Sequence, residues 1–281
     1  MTSQALTVKS AELRFGQSLR RGARDALVMA QRNLRVLLRK PPLIVPAVLQ
    51  PIVFLLLFKY VFGGVVGEAI PPTGPSYVDL LVPAAIFITA AFGMAATATG
   101  MTEDLARGLV DRFRSLPMSQ AAVLAGRTLA DTAKSAVAIL LIAGVGVALG
   151  YRPDADALSM AAAFALAIGF GFAFSWVAAW IGTMIGSAEA APAATLMWLF
   201  PLTFASSAFV PVDSFGSGLE AFAKVNPITN FIDAVRVLTL DVEPGTPGVP
   251  TEHPILLSVA WLLVVVAIFA PLAVRSYGRR S

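Results

Sequence analysis

Thirty-two consecutive residues, 157–188, carry no charge. At 1.5 Å per helical residue that run is about 48 Å long, against roughly 30 Å for the hydrocarbon core of a bilayer. No surface element of a water-soluble domain has that pattern, so the run spans a membrane, and it tilts, breaks near Gly169 and Gly171, or protrudes. Five further apolar stretches reach spanning length. The sequence therefore predicts an all-α membrane protein with six transmembrane helices, at about 41–62, 80–101, 133–151, 158–186, 190–212 and 254–274. Composition agrees: 57% of residues are hydrophobic and 14% charged, whereas soluble domains are nearer half apolar and a quarter charged. The first apolar run starts behind a long charged leader, which is not the layout of a cleavable signal peptide.

Charge placement sets the expected orientation. Residues 1–40 hold nine Lys or Arg and residues 102–134 hold five, while 63–79 hold none and 211–254 hold two against six acids. By the positive-inside rule both termini lie in the cytoplasm of a bacterial cell, across its inner membrane. The net charge of +4 follows from these flanks and does not call for nucleic acid. Lys59, near the outer end of the first span, reads as a snorkelling side chain.

The segments between spans carry their own patterns. Residues 1–24 form a flexible tail, and 25–40 form a basic amphipathic helix suited to lie on the inner leaflet. In the inner loop, Thr102 is placed to cap a short helix with Glu103 and Asp104 in its first turn. Leu105, Leu109 and Phe113 then share one face, and Pro117 ends the helix. In the outer loop, Asp213 or Ser214 caps one helix through Leu219, Phe222 and Val225. Asn226 caps a second, with Pro227 at its first position and Ile228, Phe231, Ile232, Val235 and Leu238 as an apolar stripe. Both are expected to lie at the outer interface or dip into it.

Several chemistries are missing. There is no cysteine and one histidine, His253, which removes thiolate metal sites and cysteine nucleophiles. No G-x-x-x-x-G-K-[ST] loop is present, so the chain binds no ATP in that way. The glycines of 144–150 and the pair Gly182 and Gly186 read as helix packing. No carboxylate lies deep in any of the six spans, which argues against an ion-driven carrier or an intramembrane enzyme. What remains is a membrane unit that moves or holds something with energy from a partner.

Three stretches resemble one known family: SYVDLLVPAAIFITAAFG at 76–93, EDLARGLVDRFRSLPMSQAAVLAGRTLAD at 103–131 and FVPVDSFGSGLEAFAKVNPITNFIDAVRVL at 209–238. Together the chain resembles the membrane subunit of type-2 ABC exporters, in the daunorubicin and multidrug-resistance branch, over most of 25–281. Ala84 or Ala85 stands where such proteins often have glycine. The resemblance implies a permease without catalytic residues, paired with a second membrane subunit, identical or homologous. Two copies of a separate ATPase subunit would hold ATP and magnesium. It implies that Glu103, Asp104, Leu105, Gly108, Leu109, Arg112, Phe113 and Arg114 form a coupling helix seated on the ATPase. Phe222, Asn226, Pro227, Phe231 and Arg236 would belong to re-entrant helices that close the exit. Phe87, Phe92 and Met94, with Met197, Trp198, Phe200 and Phe204, are candidates to line a path for drugs or lipid-like molecules, packing or lipid contact being the competing reading for each. Export of a polysaccharide or glycolipid precursor, and a non-transporting scaffold, are the alternatives.

Overall fold

The computed structural model describes residues 45–64, 75–107, 120–240, 242–246 and 249–279. The expected tail, the amphipathic helix at 25–40, and Gly108, Leu109, Arg112, Phe113 and Arg114 lie outside these residues. The described chain is helical: α1 (Val45–Leu57), continued by a π-helical turn (Phe58–Phe62), α2 (Tyr77–Ala106), α3 (Gln120–Ala148), α4 (Ala157–Met184), α5 (Ala190–Phe204), α6 (Ser217–Val225), α7 (Pro227–Leu240) and α8 (Pro254–Arg279). Four of these, α2, α3, α4 and α8, are long and apolar enough to cross a membrane. Two shorter apolar helices run over Leu49–Phe62 and Ala190–Phe204.

α2 is the centre of the bundle, packed against α1, α3, α4, α5 and α7. Its start is set locally. Ser76 Oγ accepts from the Asp79 amide and the Asp79 carboxylate accepts from the Ser76 amide, a reciprocal capping box. The second Asp79 oxygen accepts from the Arg152 amide at 3.1 Å, which ties this start to the loop after α3.

α3 ends in a Schellman motif. The Tyr151 amide reaches the Gly146 carbonyl and the Gly150 amide reaches Val147, with Gly150 at φ +107°. Two cations complete the end: Lys59 Nζ donates to the Leu149 carbonyl at 2.6 Å and Arg152 Nη1 to Val147 at 2.9 Å. Lys59 is thus a tertiary cap for another helix's carboxyl end, where the dipole favours positive charge. The glycine-rich stretch 144–150 is split in role, since Gly146 packs on Val82 while Gly150 makes the turn.

α4 starts at Asp156, whose carboxylate accepts from the Ser159 amide at 2.8 Å. Bonding from Ser159 holds that exposed carboxyl below its ordinary range. The helix runs unbroken through Gly169 and Gly171, about 42 Å of rise. Those glycines admit neighbours rather than bending the chain: Leu262 crosses at Gly169, and Ser135 and Ala90 at Gly171. Gly182 permits the closest approach, since a Cβ there would meet the Ala98 carbonyl oxygen at 2.6 Å; Gly186 faces open space.

α5 stops at Phe204, short of the expected 212, and rises only about 22 Å. The chain turns there, and a short 3-10 segment at Val212–Ser214 precedes α6, whose N-cap is Gly216 rather than Asp213 or Ser214. α7 then folds back against α2, α4 and α8. It is buried on nearly all sides, so it packs inside the bundle and does not lie on its surface.

Candidate functional site

Two places at opposite ends of the bundle bring the candidate residues together. The first is the base of the loop joining α2 to α3. Glu103, Asp104 and Leu105 form the last turn of α2, not the first turn of a separate helix. The reason is Thr102. Its hydroxyl donates back to the Ala98 carbonyl and also lies 3.0 Å from the Gly182 carbonyl of α4. A buried threonine satisfied this way stays in the helix instead of capping a new one. Acids in a last turn oppose the helix dipole, and each has a basic partner. Arg107 reaches Glu103 at 3.0 Å, and Arg127 of α3 reaches Asp104.

Arg127 belongs to the LAGR stretch of the sequence and also lies 3.8 Å from Asp131. Its guanidinium rests on Gly100, where a Cβ would come within 1.7 Å of Nη2. Only glycine leaves this space, so α2 and α3 are clamped together by charge at the point where the loop departs. Leu105 packs below on a second core of Met101, Leu124, Trp176 and Tyr277.

At the other end lies a polar seat within the apolar bundle, centred on α7. Asn226 serves two helices at once. Its Oδ1 accepts from the Ile228 amide at the start of α7. Its Nδ2 donates at 2.8 Å to the Leu202 and Ala205 carbonyls at the end of α5. Orphan groups from both helix ends are satisfied by one side chain. Pro227 follows at the first helical position, as the sequence predicts.

About two turns further, Asp233 (0% exposed) and Arg236 (3%) are buried together. Asp233 accepts from Ser207 Oγ at 2.9 Å, Thr251 Oγ1 at 2.8 Å and Arg236 Nη1 at 3.4 Å. Arg236 donates through Nε and Nη2 to the Leu80 carbonyl, and through Nη2 to Ser207. The pair therefore joins α7 to the first turn of α2, to the turn after α5 and to the strap before α8. The six predicted spans hold no deep carboxylate because Asp233 lies outside them, in a helix that the sequence places at the outer interface or dipping into it. The available signal was an Asp and an Arg three residues apart in an otherwise apolar helix, the pattern of paired charges inside a membrane protein.

The remaining candidates do not share one surface. Phe231 sits edge-on to Phe170 of α4 at 4.6 Å, while Phe222 is exposed on α6. Phe87 and Met94 are buried in the core, and Trp198 stacks on Phe174. Met197 (80% exposed), Phe200 and Phe204 face outward from α5, with Phe92 meeting Phe200 edge-on at 5.5 Å. No group of three or more metal-ligating side chains occurs among the described residues.

Comparison with known proteins places this architecture. The chain is 31% identical over 241 residues to a daunorubicin resistance ABC transporter permease protein of Streptomyces coeruleorubidus, covering 86% of this chain and 81% of that one. It is 23% identical over 239 residues to a probable doxorubicin resistance ABC transporter permease protein of Mycobacterium tuberculosis, covering 85% and 82%. The profile of the ABC-2 type transporter family matches residues 24–240, which take in α2, both ends of the α2–α3 loop, and the polar seat except Thr251. The chain belongs to the ABC-2 type transporter family.

Proposed function

We propose that this chain is the membrane subunit of an ATP-driven exporter that moves drugs or lipid-like amphipathic molecules out of a bacterial cell. The observation that carries the proposal is the charged clamp at Arg127, Asp104 and Gly100, found in a chain of this family whose relatives bear drug-resistance permease names. A loop that receives force needs a rigid base, and this one is fixed to two helices that run the length of the bundle. In this reading residues 103–114 seat on a separate ATPase, two copies of which hold ATP and magnesium. The chain itself supplies no catalytic group.

The reading places both termini in the cytoplasm and makes six crossings of the inner membrane. Four are made by the long helices, and two by 45–62 and by α5 with its following turn. α6 and α7 are the outer re-entrant pair, and the buried Asp233–Arg236 pair anchors them. The outward side chains of α5, Met197, Phe200 and Phe204, together with Phe92, are the part of the candidate path open to a second membrane subunit, identical or homologous.

The test is reconstitution. The tagged chain is expected to co-purify with an ATPase subunit, and the pair is expected to accumulate an anthracycline in inverted vesicles only with ATP. Replacing residues 108–114 by a Gly-Ser linker should abolish uptake. Undiminished uptake in that variant, or no bound ATPase, overturns the proposal.

A further inference from the structure

α2 and α4 meet with little side chain between them at the end of the bundle that carries the charged clamp. Gly182 of α4 lies so near α2 that a Cβ there would meet the Ala98 carbonyl oxygen at 2.6 Å and Met101 Cβ at 2.9 Å. Thr102 completes the contact. It is buried, and its hydroxyl lies 3.0 Å from the Gly182 carbonyl as well as from that of Ala98. Gly182 belongs to the last turn of α4, which ends at Met184. The last carbonyls of a helix lack intrahelical donors, so a threonine of α2 caps α4 from the side. Thr89, another buried threonine of α2, is the contrast: its hydroxyl donates to Ala85, four residues back in its own helix.

This joint stands between two elements that matter for export. On one side, Thr102 directly precedes Glu103 and Asp104, the base of the α2–α3 loop. On the other, α4 leaves helical geometry at Ile185, with ψ 133°, and residues 185–189 lead into α5. Ser187 Oγ accepts from the Glu189 and Ala190 amides at 3.2 and 3.4 Å, which braces that turn. Ala191, in the first turn of α5, is buried against the core. Close-packed interiors yield little, so a displacement passes between helices where backbones touch and a bond crosses. The Arg127 clamp ties α2 to α3; Thr102 extends the tie to α4.

We propose that Thr102 is a positioning residue for coupling. It makes α4, and through the 185–189 turn α5, follow the base of the α2–α3 loop when an ATPase moves it. The inference rests on the exporter reading above and adds how motion at that loop reaches α5, whose outward side chains belong to the candidate path.

The test uses the full-length chain reconstituted with its ATPase in inverted vesicles, with anthracycline uptake and ATP hydrolysis measured together. Thr102→Val keeps the branched shape and deletes the hydroxyl. Uptake per ATP hydrolysed should fall about fivefold. Thr102→Ser keeps the hydroxyl and should stay within about twofold of the parent. Thr89→Val deletes a hydroxyl that bonds within α2 and should leave the ratio at the parental value. A loss of folded protein alone lowers uptake and hydrolysis together and does not move the ratio. Parental uptake per ATP in Thr102→Val overturns the joint, as does an equal fall in Thr89→Val. Absence of ATP-dependent uptake by the parent overturns the exporter reading itself, and the joint with it.

Discussion

Removing the Arg236 guanidinium is the most informative perturbation of this fold. Arg236→Met keeps the length and apolar stem of the side chain and deletes its donors. The structure shows what is then lost: the bonds to the Leu80 carbonyl and to Ser207, and the contact with Asp233. Asp233 keeps the hydroxyls of Ser207 and Thr251 but becomes a buried charge without a counter-charge. Breaking a buried pair from one side costs about 3–5 kcal/mol. For a chain of this size each kcal/mol is worth on the order of 2 °C in melting temperature, so the expected drop is roughly 6–10 °C. Asp233→Asn combined with Arg236→Met removes the stranded charge and should recover at least ~1 kcal/mol relative to the sum of the single changes, a coupling typical of groups in direct contact. Thermal unfolding of the four proteins in one detergent, followed by near-ultraviolet circular dichroism, measures both quantities. If Arg236→Met melts within 1 °C of the parent, or the two changes simply add, the pair does not hold α7 in place and the account of this seat is wrong.

Three other outcomes follow from particular contacts. Asn226→Ala uncaps α7 and strands two α5 carbonyls, so a loss of about 2–3 kcal/mol is expected from the cap and the unsatisfied groups together; Asn226→Asp keeps the oxygen that caps α7 but sets a buried carboxylate oxygen against the two α5 carbonyls, and should lose at least as much. Gly100→Ala drives Arg127 off its shelf; stability should change by less than about 2 kcal/mol, while ATPase-coupled transport in vesicles falls steeply, and full transport would refute the clamp. Asp156 has a lowered pKa because Ser159 bonds its ionised form. A depressed folded-state value means that its contribution to stability is complete above the unfolded pKa near 4. That contribution is lost as pH falls through the still lower folded value. The melting difference between the parent and Asp156→Ala should therefore be flat from pH 7 to about pH 5 and shrink below pH 4; a difference that closes between pH 5 and 7 would contradict it.

Much of this architecture is local and could be read along the chain. Apolar runs place α2, α3, α4 and α8 because each of them, by length and composition alone, has only one suitable solvent. Asn226 and Pro227 announce the start of α7, since a cap acts on amides two or three residues away. The inner-loop stretch and the outer NP element carry the family resemblance in the order of their residues. Other features depend on partners distant in sequence. Thr102 has the residue type of a cap, and the Gly182 carbonyl, 80 positions away, makes it a mid-helix residue. Lys59 looks like a side chain reaching for water until Leu149 supplies a carbonyl. α7 has an amphipathic stripe, which by itself suits a helix at the outer interface or dipping into it. It is buried on nearly all sides because α5 stops at Phe204 and leaves room for it, and because Asp233 and Arg236 neutralise each other inside. Burial of a charge depends on what surrounds it in three dimensions, and one-dimensional periodicity holds no record of that. The sequence by itself determined the solvent, the long helices and the Asn226–Pro227 start of α7; the tertiary structure decided which polar groups are inside.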